Sequence, residues 1–189
     1  MDARTQRIID TAILLAERDG YAAVRLRDVA SQADVALGTV YRRFNSKEDI
    51  LVAALEQEIQ RLSEHIGVNP VAGETPLARL DAFFRTGTRR LLDKPNLARA
   101  LLRAVASGDE GVAERVAGFH QVMTDMIIAA LHPGDPDAAT DDENIAAFVL
   151  QQVFFTSLVG WSGGLHDEDT ITVQVVTAAE LMLRGVEPS

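Results

Sequence analysis

The most informative stretch of this chain is residues 25–48, which read RLRDVASQADVALGTVYRRFNSKE. The spacing of its apolar residues predicts two short helices, Leu26–Gln32 and Leu37–Phe44. Only residues 33–36 separate them, so we expect a tight corner at which one helix packs across the other. Three apolar side chains are predicted to form the small core beneath this corner: Val29, Val40 and Phe44.

A further helix is predicted on each side of this stretch. Residues 4–19 carry a broad apolar stripe, and Gly20 supplies a left-handed stop. On the other side, Ser46 is a good helix cap, and Asp49 at the third helical position complements the positive end of the helix dipole. Because this helix meets no Gly or Pro before Gly67, we expect a long strut of about 30 Å.

The remainder of the chain also reads as helix, with apolar residues at three- and four-residue steps. Proline at a first helical position and short runs of Gly, Ser and Asp mark the ends. The helices are expected to begin at Pro76 and at Pro95, to resume after the break Ser107-Gly108-Asp109 over 112–130, and to continue within 144–166 and 171–183.

The formal charge of -10 is unevenly distributed along the chain. Residues 1–50 hold eight basic and eight acidic side chains, whereas residues 51–189 hold ten basic and twenty acidic ones. Within 25–47, five Arg and Lys stand against two Asp. Because phosphate neutralisation dominates DNA affinity, a basic head on an acidic body predicts that the head contacts nucleic acid.

The uncharged stretch 144–166 is long enough to raise the question of a membrane span. Its scattered polar side chains and acidic flanks argue against one. A soluble helix that is apolar on every side must be covered on every side, so the last two helices are predicted to form a homodimer interface. The predicted fold is all-α: a three-helix head, residues 1–46, joined by the long helix to a C-terminal bundle, residues 47–189, that binds a ligand and dimerises.

The run Gly38-Thr39-Val40-Tyr41-Arg42-Arg43-Phe44-Asn45-Ser46-Lys47-Glu48 strongly resembles the DNA-binding head of the TetR family. The family pattern ends in Gly-Thr-Leu-Tyr-x-x-Phe-x-Ser-Lys-Glu. Asp34 and Ala36 stand where the family commonly has Gly and Ser. The resemblance implies a bacterial transcription regulator, a symmetric dimer that binds a palindromic operator through a helix-turn-helix.

In this architecture the second short helix reads the bases. Gly38 lets the backbone come close either to the duplex or to a neighbouring helix, and Lys47 suits a phosphate clamp. Arg25 and Arg27 would contact the DNA backbone, and such contacts position the protein without specifying sequence. The predicted DNA-binding residues are Arg25, Arg27, Leu37, Gly38, Thr39, Tyr41, Arg42 and Lys47.

Segments 33–36 and 42–44, with the Thr75-Pro76 start of the body, look most like the actinobacterial sterol-catabolism repressors of this family. This resemblance implies an apolar, lipid-like or acyl-CoA-type effector that releases a repressor from DNA. For each lining residue, plain core packing is the alternative interpretation. The predicted ligand-binding residues, with His120 and Gln152 as polar handles, are Phe83, Phe84, Leu101, Phe119, His120, Met123, Gln152 and Phe155.

Enzymatic chemistry finds no support in the sequence. The four histidines are scattered, no Ser sits in a nucleophile elbow, and the acidic cluster 135–143 lacks the Gly and Glu of a calcium loop. That cluster is interpreted as a solvated loop and helix cap, so no catalytic residue, metal or cofactor is predicted. The charged N-terminus and the lack of cysteine predict a cytoplasmic protein without a membrane association.

One alternative function stays open. Arg42 and Arg43 could be ordinary solvated charges, and Tyr41 could be half-buried packing. The chain would then be a dimeric small-molecule-binding protein without sequence-specific DNA binding. The effect of Arg42→Ala on duplex binding separates the two interpretations.

Overall fold

The computed structural model describes residues 2–108 and 112–186. Within these ranges the chain forms helices and no β-strand. The all-α prediction is therefore confirmed. Short 3-10 turns occupy Tyr21–Ala23 and Pro136–Ala138. The α-helices of the described residues are α1 (Ala3–Asp19), α2 (Leu26–Gln32), α3 (Leu37–Tyr41), α4 (Lys47–Val68), α5 (Pro76–Leu92), α6 (Pro95–Val105), α7 (Ala113–Leu131), α8 (Asp141–Ser162) and α9 (Glu168–Val186).

Local capping explains where several of these helices begin and end. Gly20 ends α1 with a φ of 78°, a backbone conformation that favours glycine. The Ser46 hydroxyl accepts a hydrogen bond from the Asp49 amide at 3.1 Å, so the predicted cap of α4 is confirmed. Thr75 caps α5 in the same way, with its hydroxyl 3.1 Å from the Ala78 amide.

Helix α3 is shorter than predicted, because it ends at Tyr41 and not at Phe44. The Arg43 and Phe44 amides both donate to the Val40 carbonyl at 2.9 Å, so the last turn tightens. Phe44 is buried, as predicted, and the tight turn carries its ring into the core before α4 begins. The apolar spacing predicted the burial of Phe44 but not this change of backbone.

The ends of two later helices follow from local backbone contacts. Helix α6 ends at Val105, and Gly108 has a φ of 72°, in agreement with the predicted break. The third residue of that predicted break, Asp109, lies outside the described residues. Helix α9 begins earlier than the apolar pattern suggested, because the Asp167 carboxylate accepts a hydrogen bond from the Thr170 amide at 3.0 Å.

The chain forms two compact units. The first combines Met1–Glu58 with Leu92–Gly118, and the second combines Ile59–Leu91 with Phe119–Ser189, so α4 and α7 contribute residues to both units, as does α5 through its last residue. In the first unit α1 packs on α6 and α2 packs on α3, while in the second α8 packs on α9. The largest buried side chains include Ile8, Ile9, Val24, Ile50 and Leu51 in the first unit and Phe83, Phe84, Ile127, Leu150 and Ile171 in the second.

Helix α8 is the one helix of the described chain that is long and apolar enough to cross a membrane by length and composition. A core helix passes the same test, and 44% of the apolar window of α8 is buried inside the protein. Four large apolar side chains of α8 are exposed, and at about 100° per residue they lie on one side of the helix and form one surface. We refer to this surface as the α8 apolar face; its residues are Ile145, Phe148, Val149 and Val159.

Candidate nucleic-acid interface

The turn between α2 and α3 is built on a left-handed aspartate. Asp34 has a φ of 52°, and the Val35 amide donates to the Ala30 carbonyl at 3.0 Å. This hydrogen bond closes a Schellman-type end of α2, which usually places glycine where Asp34 stands. Asp tolerates the left-handed conformation better than most residues. The corner predicted at 33–36 is therefore present with its helix-ending geometry intact.

The outer surface of α3 is open to solvent at Gly38, Tyr41 and Arg42, and 56% of Tyr41 is exposed. A Cβ atom placed on Gly38 would meet nothing within 4 Å. Packing against a neighbouring helix therefore does not explain this glycine. Of the two reasons that the sequence suggested for Gly38, close approach to an external partner is the one compatible with this geometry.

Two other predicted contact residues of α3 are less accessible. Leu37 is half-buried, and Thr39 is 9% exposed. The Thr39 hydroxyl accepts a hydrogen bond from Nη2 of Arg42 at 3.0 Å. In the free chain, Thr39 thus holds the guanidinium of Arg42 at the surface of α3.

The Arg43 side chain forms an ion pair with another residue of the same chain. Its Nη1 lies 2.6 Å from Oδ2 of Asp2, the residue that caps α1. The Thr5 amide, which donates to the same carboxylate, and the Arg43 guanidinium lower the pKa of Asp2 to about 2. Arg43 therefore joins the turn after α3 to the start of α1.

Arg25 and Arg27 are exposed at the start of α2. Arg25 occupies the N-cap position, and its side chain caps no amide there. Ala36, at the N-cap of α3, likewise offers no side-chain cap. The amides at the starts of both short helices are therefore not satisfied by side-chain caps, and an N-terminal helix end attracts anions.

Lys47, the first residue of α4, lies against an aromatic ring. Its Nζ is 3.8 Å from the ring centroid of Tyr21, and the Cζ of Arg103 on α6 is 4.4 Å from the same centroid. The Tyr21 hydroxyl donates to the Glu48 carboxylate. Burial, together with this carboxylate, raises the pKa of Tyr21. Sequence reasoning missed Arg103, because nothing in the pattern of α6 connects it with a residue 82 positions earlier.

A second residue that sequence reasoning missed is Arg115 on α7. Its Nη1 lies 2.8 Å from Oε2 of Glu56, and its Nε lies 3.2 Å from Oδ1 of Asp49. Both carboxylates belong to α4, and Asp49 is buried. Arg115 therefore fastens the N-terminal part of α4 within the first unit.

The predicted ligand-binding residues are divided between the two units. Leu101 belongs to the first unit, and the other seven belong to the second. Phe83, Phe84 and Met123 are buried in the second unit. The remaining four are half-buried: Phe119, His120, Gln152 and Phe155.

A connected polar network lies between α7 and α8 in the second unit. The Nδ1 of His120 is 3.0 Å from Oε1 of Gln151, whose Nε2 donates to the Thr124 hydroxyl at 3.1 Å. The Thr124 hydroxyl in turn donates to the His120 carbonyl at 3.0 Å. The amide that partners His120 within the chain thus belongs to Gln151, the neighbour of Gln152. The sequence could not indicate which side of α8 faces α7, because α8 is apolar on nearly every side.

Two family models match the chain. Residues 8–54 match the model described as bacterial regulatory proteins of the tetR family. Residues 73–182 match the model described as the tetracyclin repressor-like C-terminal domain. The first match contains the whole α2–α3 pair, and the second contains α5 to α8 and most of α9.

Curated relatives agree with these matches. The chain is 35% identical over 158 residues to the HTH-type transcriptional repressor KstR of Mycobacterium tuberculosis, covering 84% of this chain and 70% of that protein. It is 34% identical over 180 residues to KstR of Rhodococcus jostii, covering 95% of this chain and 82% of that protein. Both relatives are named as repressors of the helix-turn-helix type.

Solved structures share the fold. A TetR transcriptional regulator from Rhodococcus sp. RHA1 superposes with a TM-score of 0.85 at 24% identity, covering 99% of this chain and 98% of that one. FadR of Thermus thermophilus, a repressor solved with lauroyl-CoA, gives a TM-score of 0.75 at 19% identity, covering 98% and 96%. The helix-turn-helix, the two family matches and these relatives lead to one conclusion: the chain belongs to the tetR family and is a transcriptional regulator.

Proposed function

We propose that this chain is a cytoplasmic homodimeric repressor that leaves a palindromic operator when an apolar, acyl-CoA-like effector binds its C-terminal bundle. The observation that carries the proposal is the solvent-open surface of α3, with Gly38 uncovered and Tyr41 and Arg42 exposed. An exposed tyrosine and arginine beside an open backbone position suit the major groove of a duplex. The KstR relatives, which are named repressors, support the sign of regulation.

The proposed division of labour follows the sequence. Residues 1–46 bind DNA together with Lys47, which begins the second domain, and residues 47–189 bind the effector and dimerise. Gly38, Tyr41 and Arg42 would face base edges. The phosphates would be held by Arg25, Arg27 and Lys47. The proposed DNA-binding set is the one predicted above: Arg25, Arg27, Leu37, Gly38, Thr39, Tyr41, Arg42 and Lys47.

The α8 apolar face supports the proposed dimer. Ile145 is 63% exposed and Phe148 is 50% exposed, and α9 adds exposed Val173 and Leu181. Exposed large apolar side chains gathered on one side of a helix are costly in water and are typical of an interface between copies. Two-fold symmetry would place the two α3 helices in successive major grooves, about 34 to 36 Å apart.

The proposed effector site lies in the second unit. Phe119, His120 and Phe155 are half-buried there, beside a fully connected polar network in which Gln151 is buried. Aromatic lining with a few placed polar groups is typical of an apolar ligand site. Lauroyl-CoA in Thermus thermophilus FadR supports the proposed chemical class. The proposed lining comprises the seven predicted residues that belong to the second unit, without Leu101 of the first: Phe83, Phe84, Phe119, His120, Met123, Gln152 and Phe155.

Release would act through α4, which contributes residues to both units. An effector shifts the equilibrium only if it binds the DNA-competent and DNA-incompetent states with different affinity. We propose that effector binding tilts α4 and thereby changes the spacing of the two α3 helices.

Selection from a randomised pool of duplexes tests the proposal. The wild-type chain should enrich a palindrome, Arg42→Ala should enrich it poorly, and lauroyl-CoA should release the bound duplex while free CoA should not. If the wild-type chain enriches no sequence but still binds lauroyl-CoA, the chain is a ligand-binding dimer without sequence-specific DNA binding, and the proposal is wrong.

A further inference from the structure

A basic pocket lies beside the start of α2, and the described residues that line it include none of α3. It has a volume of 550 Å³, and we refer to it as the Tyr21 pocket after the ring at its wall. Among the described residues that line it, three are cationic and none is acidic: Arg25, Lys47 and Arg103. The three cations come from the N-cap of α2, the first turn of α4 and the last turn of α6.

The Tyr21 ring holds two of these cations in place. Lys47 Nζ and Arg103 Cζ lie 3.8 and 4.4 Å from its centroid, within the range of a cation–π interaction. The Tyr21 hydroxyl engages the neighbouring Glu48 carboxylate. A guanidinium that rests on a ring loses less conformational freedom when it binds an anion, so the pocket is preorganised.

Three converging like charges repel one another, and the neighbouring Glu48 carboxylate, engaged by the Tyr21 hydroxyl, offsets one charge of the three. A phosphoryl oxygen is the chemically matched partner, because charge-assisted hydrogen bonds from Arg and Lys to phosphate are among the strongest. The backbone of a bound duplex is the source of phosphate that best fits the position of the pocket. Arg25 and Lys47, which line it, are also the cations proposed above to hold the DNA backbone.

We infer that Arg103 of α6 is a third phosphodiester contact, and that the Tyr21 pocket seats one backbone phosphate of the operator in each protomer. The inference rests on the proposed function, since it requires a bound duplex. Arg103 lies within residues 73–182, which match the C-terminal family model. The effector-binding part of the chain would thus itself supply a DNA contact, and a shift of α6 would withdraw it.

The test is the salt dependence of duplex affinity for Arg103→Gln in the full chain, with a duplex recovered by the wild-type chain from a randomised pool. Between about 50 and 200 mM salt, the slope of log Kobs against log salt should decrease in magnitude by about 0.9 for each protomer. Affinity should fall by roughly three- to tenfold, equally for the recovered and for a scrambled duplex. Arg85→Gln, an equal charge change at an exposed α5 residue, is the matched control and should leave the slope unchanged.

The outcomes separate the inference from the proposed function. If Lys47→Gln lowers the slope and Arg103→Gln does not, the inference is wrong and the proposed function stands. If pyrophosphate raises the Tm of the wild-type chain but not of Arg103→Gln, while their DNA slopes agree, the pocket takes a free phosphoryl ligand and the backbone assignment is overturned. A wild-type chain that binds no duplex at low salt contradicts both.

Discussion

The guanidinium Nε of Arg115 lies 3.2 Å from Oδ1 of Asp49, a buried carboxylate in the first turn of α4. The other carboxylate oxygen accepts the Asn45 amide at 3.0 Å, and the Asp49 amide donates to the Ser46 hydroxyl at 3.1 Å. One side chain of α7 is therefore connected, through a single carboxylate, to the backbone turn that links α3 to α4.

Removing this guanidinium should destabilise the protein. Arg115→Met leaves the buried Asp49 carboxylate without its ion-pair partner, and we expect the free energy of unfolding to fall by about 1 to 3 kcal/mol in urea titrations. The matched control is Arg85→Met, which breaks an exposed pair with Asp81 and should cost about 0.5 kcal/mol or less. Equal losses in the two variants would show that the Arg115–Asp49 pair contributes no more than a surface pair.

Gly38→Ala should separate DNA binding from stability. The added methyl group meets open space in the free chain, and alanine favours helix, so the free energy of unfolding should stay constant or rise by up to about 1 kcal/mol. Duplex affinity should fall by roughly tenfold or more, because the methyl group would stand between the backbone and the DNA.

Gly118→Ala on α7 is the control for this experiment, since a Cβ atom on Gly118 would likewise meet nothing within 4 Å. It should have a similar effect on stability and none on duplex affinity. If Gly38→Ala binds the recovered duplex as tightly as the wild-type chain, the surface around Gly38 is not in close contact with DNA.

Phe148→Asp should disrupt the proposed dimer. A charge in the middle of the α8 apolar face would have to be desolvated in the interface, so sedimentation equilibrium should detect monomers at concentrations where the wild-type chain is dimeric. Leu14→Asp introduces the same charge at an exposed apolar position of α1 and should leave the dimer intact. An unchanged dimer in Phe148→Asp would place the interface elsewhere.

Acid should weaken the cap at the start of α8. The Glu143 carboxylate accepts the Thr140 amide at 2.8 Å and the Thr140 hydroxyl at 2.9 Å, and its Oε1 lies 3.0 Å from Nε2 of His132. These contacts, led by the Thr140 amide, hold the pKa of Glu143 below its ordinary value of 4.5. Because the folded pKa is lowered, the stabilisation is complete above the ordinary pKa and is lost as the pH falls through the folded value.

Urea titrations of wild type and Glu143→Gln over a range of pH measure this effect. The difference in their free energies of unfolding should be greatest above about pH 5 and should shrink as the pH is lowered toward about 3. A difference that stays constant over this range would mean that the ionised carboxylate does not stabilise the cap.

The sequence predicted those parts of the structure that depend on neighbours along the chain. Ser46 and Thr75 begin helices and Gly20 ends one, as expected. The acidic cluster 135–143 provides a helix cap, because Thr140 and Glu143 form a capping box. Cap preference and apolar period act over three or four residues, so one sequence carries enough information to read them.

Contacts between distant segments could not be read in the same way. Arg43 pairs with Asp2, Arg103 rests on Tyr21, and Arg115 joins Asp49, and each pair depends on how whole helices pack. The contact between His120 and Gln151 could not be read for a related reason. A helix that is apolar on nearly every side has no apolar stripe from which to read the orientation of a polar residue.

The most direct test of the central claim is the specificity ratio of the full chain, measured as its Kd for a scrambled duplex divided by its Kd for the duplex it recovers from a randomised pool. At physiological salt the wild-type ratio should be roughly 10³ or more. Arg42→Ala should lower this ratio, whereas Lys47→Gln should weaken both duplexes alike and preserve it. A wild-type ratio close to one would contradict the account.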